Sequence, residues 1–257
     1  MKDINQLISI VIPVFNESDS IGYLLDEIIN VMHANKFNFE LIVVNDGSQD
    51  QTSSVLDKLT IRIKELFVVS LRKNYGQTAA MAAGFDNSKG EIVITLDGDL
   101  QNDPNDIPKL VSNINEGYDL ICGWRYDRKD KLINRRIPSK IANKLIAKVT
   151  GLNLHDYGCS LKAFKKEIID DVKLYGELHR FLPVLANIEG AKIKEIKVNH
   201  RSRKYGSSKY GIDRTFRVLM DLLTVWFMTK FLTRPMYGFG FFGIISILIS
   251  LGMTSYL

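Results

Sequence analysis

Cysteine is scarce in this sequence, with only Cys122 and Cys159 among 257 residues. Two cysteines are too few for a disulfide scaffold, and they do not form a Cys-x-x-Cys pair. We therefore expect both thiols to be reduced, as in a cytosolic setting. Internal repeats and low-complexity linkers are also lacking, so the composition predicts an ordinary folded chain with a core of its own.

The N-terminus lacks the pattern of a secretory signal. Its apolar run covers residues 7–14, is interrupted by Pro13, and gives way at once to Asn16 and Glu17. A signal peptide would need a longer uninterrupted apolar segment and a small-residue cleavage site. We expect this run to be a strand of the folded protein.

Charge is missing from the C-terminal segment. Residues 235–257 contain no Asp, Glu, Lys or Arg and are rich in Phe, Ile and Leu. About 20 apolar residues suffice to cross a bilayer, so this segment is predicted to be a transmembrane helix, with a buried core helix as the alternative. Lys230 and Arg234 precede it, and by the positive-inside rule they predict that the preceding domain is cytoplasmic.

The net charge of +5 is compatible with three kinds of partner: nucleic acid, an anionic membrane surface and phosphorylated substrates. The basic residues concentrate in segments 125–148 and 200–210. Aromatic residues are not interleaved with them as stacking platforms for bases would be, so we predict no nucleic-acid partner. A face of the first segment touching anionic headgroups is the favoured interpretation.

Strand-like and helix-like segments alternate through the first hundred residues. Buried strands are predicted at 8–15, 39–44, 67–71 and 91–96, and helices at 17–34, 52–64 and 77–87. Strands that are apolar without alternation indicate a parallel sheet covered on both faces, in which ligands bind beyond the carboxyl ends of the strands. The polar residues after these strands are therefore expected to converge on one edge.

The remaining segments are less regular. We predict a helix at 104–116, a short strand at 119–123, an edge strand at 193–198 and a helix at 213–231. The last has apolar residues at helical spacing and basic ends, so it is either an interfacial helix on the bilayer or an ordinary core helix. The predicted domains are 1–212, 213–234 and 235–257.

The most specific local pattern is Asp97-Gly98-Asp99 at the end of a predicted strand. Two carboxylates there can hold Mg²⁺ or Mn²⁺, which take a few protein oxygens and the rest from water and phosphate. Gln101 offers a further oxygen. By itself an Asp-x-Asp pair is equally consistent with a solvated turn.

Two other loops are ambiguous in the same way. Asp46, in Asn-Asp-Gly-Ser, can contact a nucleobase or ribose, or merely form a turn. Pro13 to Glu17 can frame a base with Phe15 and accept from ribose hydroxyls with Glu17, or merely lead from a strand into a helix.

The order of these motifs is more informative than any one of them. They read Val-Ile-Pro-Val-Phe-Asn-Glu at 11–17, Val-Asn-Asp-Gly-Ser at 44–48, Asn-Tyr-Gly-Gln-Thr-Ala-Ala at 74–80 and Leu-Asp-Gly-Asp-Leu-Gln-Asn-Asp-Pro at 96–104. Together they resemble family 2 glycosyltransferases, which have the Rossmann-like GT-A fold. Arg125 and segments 155–159, 175–181 and 200–210 are similar to the polyprenyl-phosphate branch, which includes bactoprenol glucosyltransferases and dolichol-phosphate mannose synthases. The likeness extends over roughly residues 8–235.

The resemblance implies a role for each matching residue. The metal ligands would be Asp97 and Asp99, with Gln101 nearby. The nucleotide-sugar pocket would contain Pro13, Phe15, Glu17, Asp46, Asp97 and Arg125. The phosphates of donor or acceptor would be bound by Arg125, Arg201, Arg203 and Lys209. Asp156 matches a carboxylate proposed as catalytic base, and Asp99 would share the catalytic role.

The chemistry of the acceptor limits the need for a base. A phosphate monoester has a second pKa of ~6, so at neutral pH it is already mostly a charged nucleophile. Asp156 is therefore interpreted as a positioning group at least as readily as a base. The purely structural alternative is an aspartate that forms a turn or caps a helix.

The resemblance implies an inverting transfer of a hexose to undecaprenyl phosphate, with UDP-glucose the first-choice donor and GDP-mannose the second. A hydroxyl-directed polysaccharide transferase is the rival enzyme, but the Gln-x-x-Arg-Trp segment of such proteins is missing. A non-catalytic membrane scaffold is the remaining alternative. We expect an inner-membrane protein with its catalytic domain on the cytoplasmic face and a second span beyond this sequence, and a homo-oligomer stays open.

Overall fold

The computed structural model describes residues 6–127, 137–204, 213–231 and 235–256. For residues 137–142 and 213–219 it describes the backbone alone. Strands are β1 Leu7–Val14, β2 Asn38–Asn45, β3 Leu66–Ser70, β4 Ile92–Thr95, β5 Leu120–Arg125, β6 Lys162–Lys165 and β7 Ile193–Val198. Helices are α1 Ile21–Ala34, α2 Thr52–Arg62, α3 Gln77–Asp86, α4 Ile107–Asn115, α5 Ile137–Thr150, α6 Lys166–Asp171, α7 Leu182–Ile188, α8 Asp213–Phe231 and α9 Pro235–Tyr256.

One seven-stranded sheet organises the first part of the chain, in the order β3-β2-β1-β4-β6-β5-β7. The pairs β1–β2, β1–β4, β2–β3 and β5–β7 are parallel. Strand β6 runs antiparallel to both of its neighbours, β4 and β5. The predicted GT-A-type α/β fold with a mostly parallel sheet is confirmed, and β7 lies at an edge as expected.

The core forms where apolar strands meet amphipathic helices. Strand β1 consists mainly of β-branched residues, and β2 contains the apolar run Leu41 to Val44. Both strands are buried along almost their whole length. Helix α1 buries a stripe at Ile21, Leu24, Leu25, Ile28 and Met32, which is one face of a 3.6-residue period. On α3, Gly84 approaches the sheet so closely that an added Cβ would lie 2.2 Å from Val11 Cγ1.

The chain divides into two compact units, residues 1–211 and 212–257. The second unit contains α8 and α9, which contact each other through aromatic rings such as Phe227 and Phe239, 5.4 Å apart. Helix α9 is long and apolar enough to cross a membrane. Its residues are exposed on all faces apart from the buried Gly238 and the half-buried Gly240. A helix that is apolar all round and not packed in a core is typical of a membrane span.

Candidate active site

A cleft of about 340 Å³ opens beyond the carboxyl ends of the central parallel strands, within the size range of small-molecule sites. Seven of the residues predicted from the sequence line it: Pro13, Phe15, Glu17, Asp46, Asp97, Asp99 and Arg203. They come from the ends of β1, β2 and β4 and from the segment after β7. The predicted convergence on one sheet edge is therefore what the structure contains.

Asp46 holds the loop that leads into α3. Its Oδ1 accepts the backbone N–H of Tyr75 at 2.7 Å, and its Oδ2 accepts that of Gly76 at 2.9 Å. Gly47 follows with φ +64°, and a Cβ there would lie 2.3 Å from the Lys73 carbonyl carbon, so only glycine fits. Both carboxylate oxygens are thus used for shaping the cleft wall, and contact of Asp46 with a base or ribose remains a prediction.

The loop after β1 is tied to the loop after β2. Asn16, at φ 53°, donates its N–H to Ser48 Oγ at 2.9 Å and accepts the Gln49 N–H through Oδ1 at 2.8 Å. Glu17 N–H bonds Thr52 Oγ1 at 2.9 Å, and Ser20 Oγ–H donates to Glu17 Oε2 at 2.7 Å. These bonds fix the segment Pro13 to Glu17 as one rim of the cleft.

Asp97 and Asp99 lie together in the cleft. Gln77 Nε2 donates to Asp97 Oδ1 at 2.8 Å, and Arg203 Nη2 donates to Asp99 Oδ2 at 2.5 Å. Burial raises the pKa of Asp99 to about 6, the charge of Asp97 adds to this, and Arg203 opposes it. The two carboxylates are therefore close enough to repel each other. A cation bound between them would relieve this repulsion.

This donor set fits a divalent metal ion. Among the described residues no group of three or more His, Cys, Asp or Glu gathers as a complete protein cage. Mg²⁺ and Mn²⁺ do not require one, because a site for a nucleotide-bound ion uses one or two carboxylates and leaves the other positions to phosphate and water. Gln101 does not line the described part of the cleft, and its side-chain amide faces the Arg201 carbonyl at 3.4 Å, so its role near the metal stays a prediction.

Asp156 is held by Arg125 in a buried two-bond pair. Arg125 Nε lies 2.7 Å from Oδ2 and Nη2 lies 2.9 Å from Oδ1, with the side chains 16% and 4% exposed. Burial lowers the pKa of Arg125. The hydrogen bonds and the negative charge of Asp156, together with the charge of Asp97, outweigh burial, so the pKa of Arg125 lies above its usual value. A carboxylate with both oxygens on a guanidinium is suited to positioning rather than to taking a proton.

Glu195 on β7 anchors the loop that carries Asp156. Its Oε1 accepts the backbone N–H groups of His155 and Asp156, both at 2.9 Å, and its Oε2 lies 2.7 Å from His155 Nδ1. The His155 ring stacks on Trp124 of β5 at 4.1 Å. Two neighbouring strands therefore set the place of Asp156. Neither Asp156 nor Arg125 lines the described part of the cleft itself.

The predicted phosphate-binding cations are placed differently from one another. Arg203 lies in the cleft, whereas Arg201 is paired with Glu27 at 2.6 Å and Asp103 at 2.8 Å and does not line the described cleft. Lys209 lies outside the described residues. Phosphate binding by Arg201 and Lys209 stays a prediction.

Sequence reasoning did not single out Gln77, Glu177 or the buried pair of Thr78 and His179. Gln77 and Glu177 line the cleft, and Thr78 Oγ1 lies 2.7 Å from His179 Nδ1. All four lie within motifs that carried the family resemblance, at 74–80 and 175–181, so their position in those motifs was the available signal.

Comparison with known proteins agrees with this geometry. The model of glycosyl transferase family 2 matches residues 9–173. The chain is 48% identical to the dodecaprenyl-phosphate galacturonate synthase of Rhizobium johnstonii, over 92% of this chain and 71% of that protein. It is 40% identical to the undecaprenyl-phosphate 4-deoxy-4-formamido-L-arabinose transferase of Aeromonas hydrophila, over 85% of this chain and 67% of that protein.

Among solved structures, the glucosyl-3-phosphoglycerate synthase of Mycobacterium tuberculosis, in complex with Mn²⁺ and UDP-glucose, superposes with a TM-score of 0.68. The match covers 88% of this chain and 79% of that one at 18% identity, which supports the fold. The relatives and the family model together decide the membership: the chain belongs to glycosyl transferase family 2 and is a sugar-transferring enzyme of the GT-A fold.

Proposed function

We propose that this enzyme transfers one sugar from a nucleotide sugar to a membrane-embedded polyprenyl phosphate. The observation that carries the proposal is the meeting of Asp97, Asp99 and Arg203 in one cleft, in a chain 48% identical to a dodecaprenyl-phosphate galacturonate synthase. Two carboxylates and an arginine suit a metal-bound diphosphate and a second phosphate.

The proposed reaction is a single displacement with inversion. An oxygen of the lipid phosphate forms a bond to the sugar C1 while the bond from C1 to the nucleoside diphosphate breaks, and the diphosphate leaves with the electron pair. The acceptor is already anionic, since its second pKa is ~6, and no proton has to be removed from it. Arg125 and Asp156 then serve to position groups at the edge of the site.

The protein's own residues bind and orient the donor. Phe15 and the segment Pro13 to Glu17 would frame the base and ribose, and Arg203 would reach the phosphates. Asp97 and Asp99 would hold Mg²⁺ or Mn²⁺, which supplies neutralisation of the charge that develops on the departing diphosphate.

The donor sugar belongs to the proposal as well. UDP-glucose is the expectation from the family resemblance. The two relatives described above are named for galacturonate and for 4-deoxy-4-formamido-L-arabinose. We therefore place a UDP-linked uronic acid beside UDP-glucose as a donor to test first, with GDP-mannose as the third.

The membrane location follows from the acceptor. A polyprenyl tail stays within the bilayer, so an enzyme held there by α9 meets its substrate at headgroup level. Lys230 and Arg234 before α9 favour a cytoplasmic catalytic unit at the inner membrane, where nucleotide sugars are made.

The test is a donor screen with the purified full chain in detergent, Mn²⁺ and undecaprenyl phosphate. We expect UDP or GDP release with one donor class, dependent on the lipid phosphate, and loss of at least about 100-fold in Asp99→Ala. Asp57→Ala, an exposed carboxylate on α2, is the matched control. Full activity of Asp99→Ala would refute the metal role, and release dependent on a sugar hydroxyl acceptor would favour a polysaccharide transferase.

A further inference from the structure

Both oxygens of the Asp99 carboxylate are in use within the cleft. Oδ2 accepts from Arg203 Nη2 at 2.5 Å, and Oδ1 accepts the backbone N–H of Gln101 at 3.1 Å. The side chain of Asp99 is 9% exposed and that of Arg203 is 27% exposed, so little water competes for the pair. Arg203 is thus the counter-ion of Asp99.

A guanidinium hydrogen-bonded to Oδ2 and a divalent ion held by the same carboxylate repel each other. A Mg²⁺ ligand oxygen lies about 2.0–2.1 Å from the ion, which would bring two cations within contact distance in a poorly hydrated cleft. Because of this repulsion, each cation weakens the hold of Asp99 on the other. Asp99 therefore has two alternative partners of the same sign.

The segment that carries Arg203 is anchored at Arg201, two residues before it. Arg201 N–H donates to the Gln101 carbonyl at 2.8 Å, and the Arg201 side chain is clamped by Glu27 and Asp103. Arg203 is two residues farther along, in a segment without regular secondary structure. Its side chain can leave Asp99 without disturbing the clamp at Arg201.

A diphosphate offers Arg203 a better partner than the carboxylate does. Arg203 makes one hydrogen bond to Asp99 Oδ2, whereas a diphosphate carries more negative charge and its oxygens can accept two parallel N–H bonds. The diphosphate also brings its own divalent ion to Asp99. We propose that Arg203 is an exchangeable counter-ion of Asp99, displaced when metal and nucleotide bind together and then transferred to the diphosphate. The exchange rests on the proposed function and makes metal binding and nucleotide binding cooperative.

The exchange is tested by Mn²⁺ binding without turnover. Free Mn²⁺ is followed by electron paramagnetic resonance at pH 8, with the full chain in detergent and with or without UDP. In the wild type, UDP is expected to tighten Mn²⁺ binding by at least about tenfold, which is a coupling within the usual allosteric range.

Arg203→Gln tests separately the release of Asp99 by Arg203 and the transfer of Arg203 to the diphosphate. We expect it to bind Mn²⁺ alone about three- to tenfold more tightly than the wild type, because no cation has to be displaced, and to lose most of the tightening by UDP. Arg203→Lys keeps the charge without the paired N–H donors and should bind Mn²⁺ alone as the wild type does. Arg62→Gln, which breaks the exposed Arg62–Asp26 pair at 2.6 Å, is the matched control.

The outcomes distinguish this proposal from the function on which it rests. Equal Mn²⁺ affinity of Arg203→Gln and wild type, in a protein that still releases nucleotide with lipid phosphate, would overturn the exchange alone. Unchanged Mn²⁺ binding by Asp99→Asn would overturn both the exchange and the metal role of Asp99.

Discussion

At the scale of single residues, Arg125 and Asp156 form the most buried ion pair among the described residues. Its two side chains are largely buried and joined by two hydrogen bonds of 2.7 and 2.9 Å. Removal of one partner leaves a buried charge uncompensated, which costs far more than the loss of an exposed pair. Loss of either partner alone should therefore destabilise the folded protein.

Arg125→Ala is expected to lower the free energy of unfolding by about 3–5 kcal/mol. Thermal unfolding of the full chain in detergent measures this, and Arg62→Ala, from the exposed pair with Asp26 at 2.6 Å, should cost only about 0–1 kcal/mol. Equal losses in the two variants would mean that the Asp156 carboxylate is hydrated in solution.

Asp99 imposes a pH dependence on stability. Its pKa of about 6 is raised first by burial and then by Asp97, above the unfolded value of ~3.9. The folded state therefore holds this proton more tightly, and that stability is complete below about pH 4 and lost as the pH rises through about 6.

Asp99→Asn removes this titration, so its stability relative to the wild type should rise from about pH 4 to about pH 7, by at most about 3 kcal/mol in total. The thermal midpoints of both proteins across that range, without added metal, measure the difference. Asp57→Asn should run parallel to the wild type. Parallel curves for Asp99→Asn would show that the carboxyl titrates near its ordinary pKa.

At the scale of elements, the position of α3 against the sheet controls the cleft. Its first residue, Gln77, donates to Asp97, and the loop before it is held by Asp46. Gly84 lets the same helix approach β1 closely. A shift of α3 away from the sheet would move Gln77 and the cleft wall together.

Gly84→Ala is expected to destabilise the protein by about 1–3 kcal/mol, because the new methyl group would lie 2.2 Å from Val11 Cγ1 in the packed core. Gly22→Ala on α1 is the matched helical control. No atom lies within 4 Å of a Cβ there, so higher helix propensity should stabilise it by up to about 1 kcal/mol. Thermal unfolding decides the sign, and stabilisation by both substitutions would contradict the packing of α3.

At the scale of the whole molecule, the chain joins a catalytic unit of residues 1–211 to a helical unit of 212–257. The first contains every described residue of the cleft, and the second contains the candidate span α9. In the proposed function, the first unit performs the chemistry and the second attaches the enzyme to the membrane. The two tasks should therefore be separable by experiment.

Deletion of 235–257 is expected to reduce transfer to undecaprenyl phosphate in vesicles by at least about tenfold, because the enzyme loses its high effective concentration at the bilayer. Transfer to a short, water-soluble prenyl phosphate should change little. An unrelated apolar helix of the same length should restore the vesicle activity. Equal loss on both acceptors would indicate that α9 supports the catalytic unit itself.

Much of the architecture could be predicted because it depends on local pattern. Strands β1, β2 and β4 are rich in buried apolar residues, and because both of their faces are covered, their sequences show no alternation of apolar and polar residues. The gathering of Asp46, Asp97 and Asp99 follows from parallel strands alone, since their carboxyl ends share one edge. The apolar, uncharged α9 is likewise evident from composition.

The tertiary structure decided what depends on pairing between distant parts of the chain. Strand β6, with the sequence Lys-Ala-Phe-Lys, has little pattern of its own and becomes a strand by inserting antiparallel between β4 and β5. Arg203 meets Asp99 across 104 residues, and Arg125 meets Asp156 across 31. Periodicity reports which face of an element is buried, whereas the partner of a charge is set by the topology that brings the two side chains together.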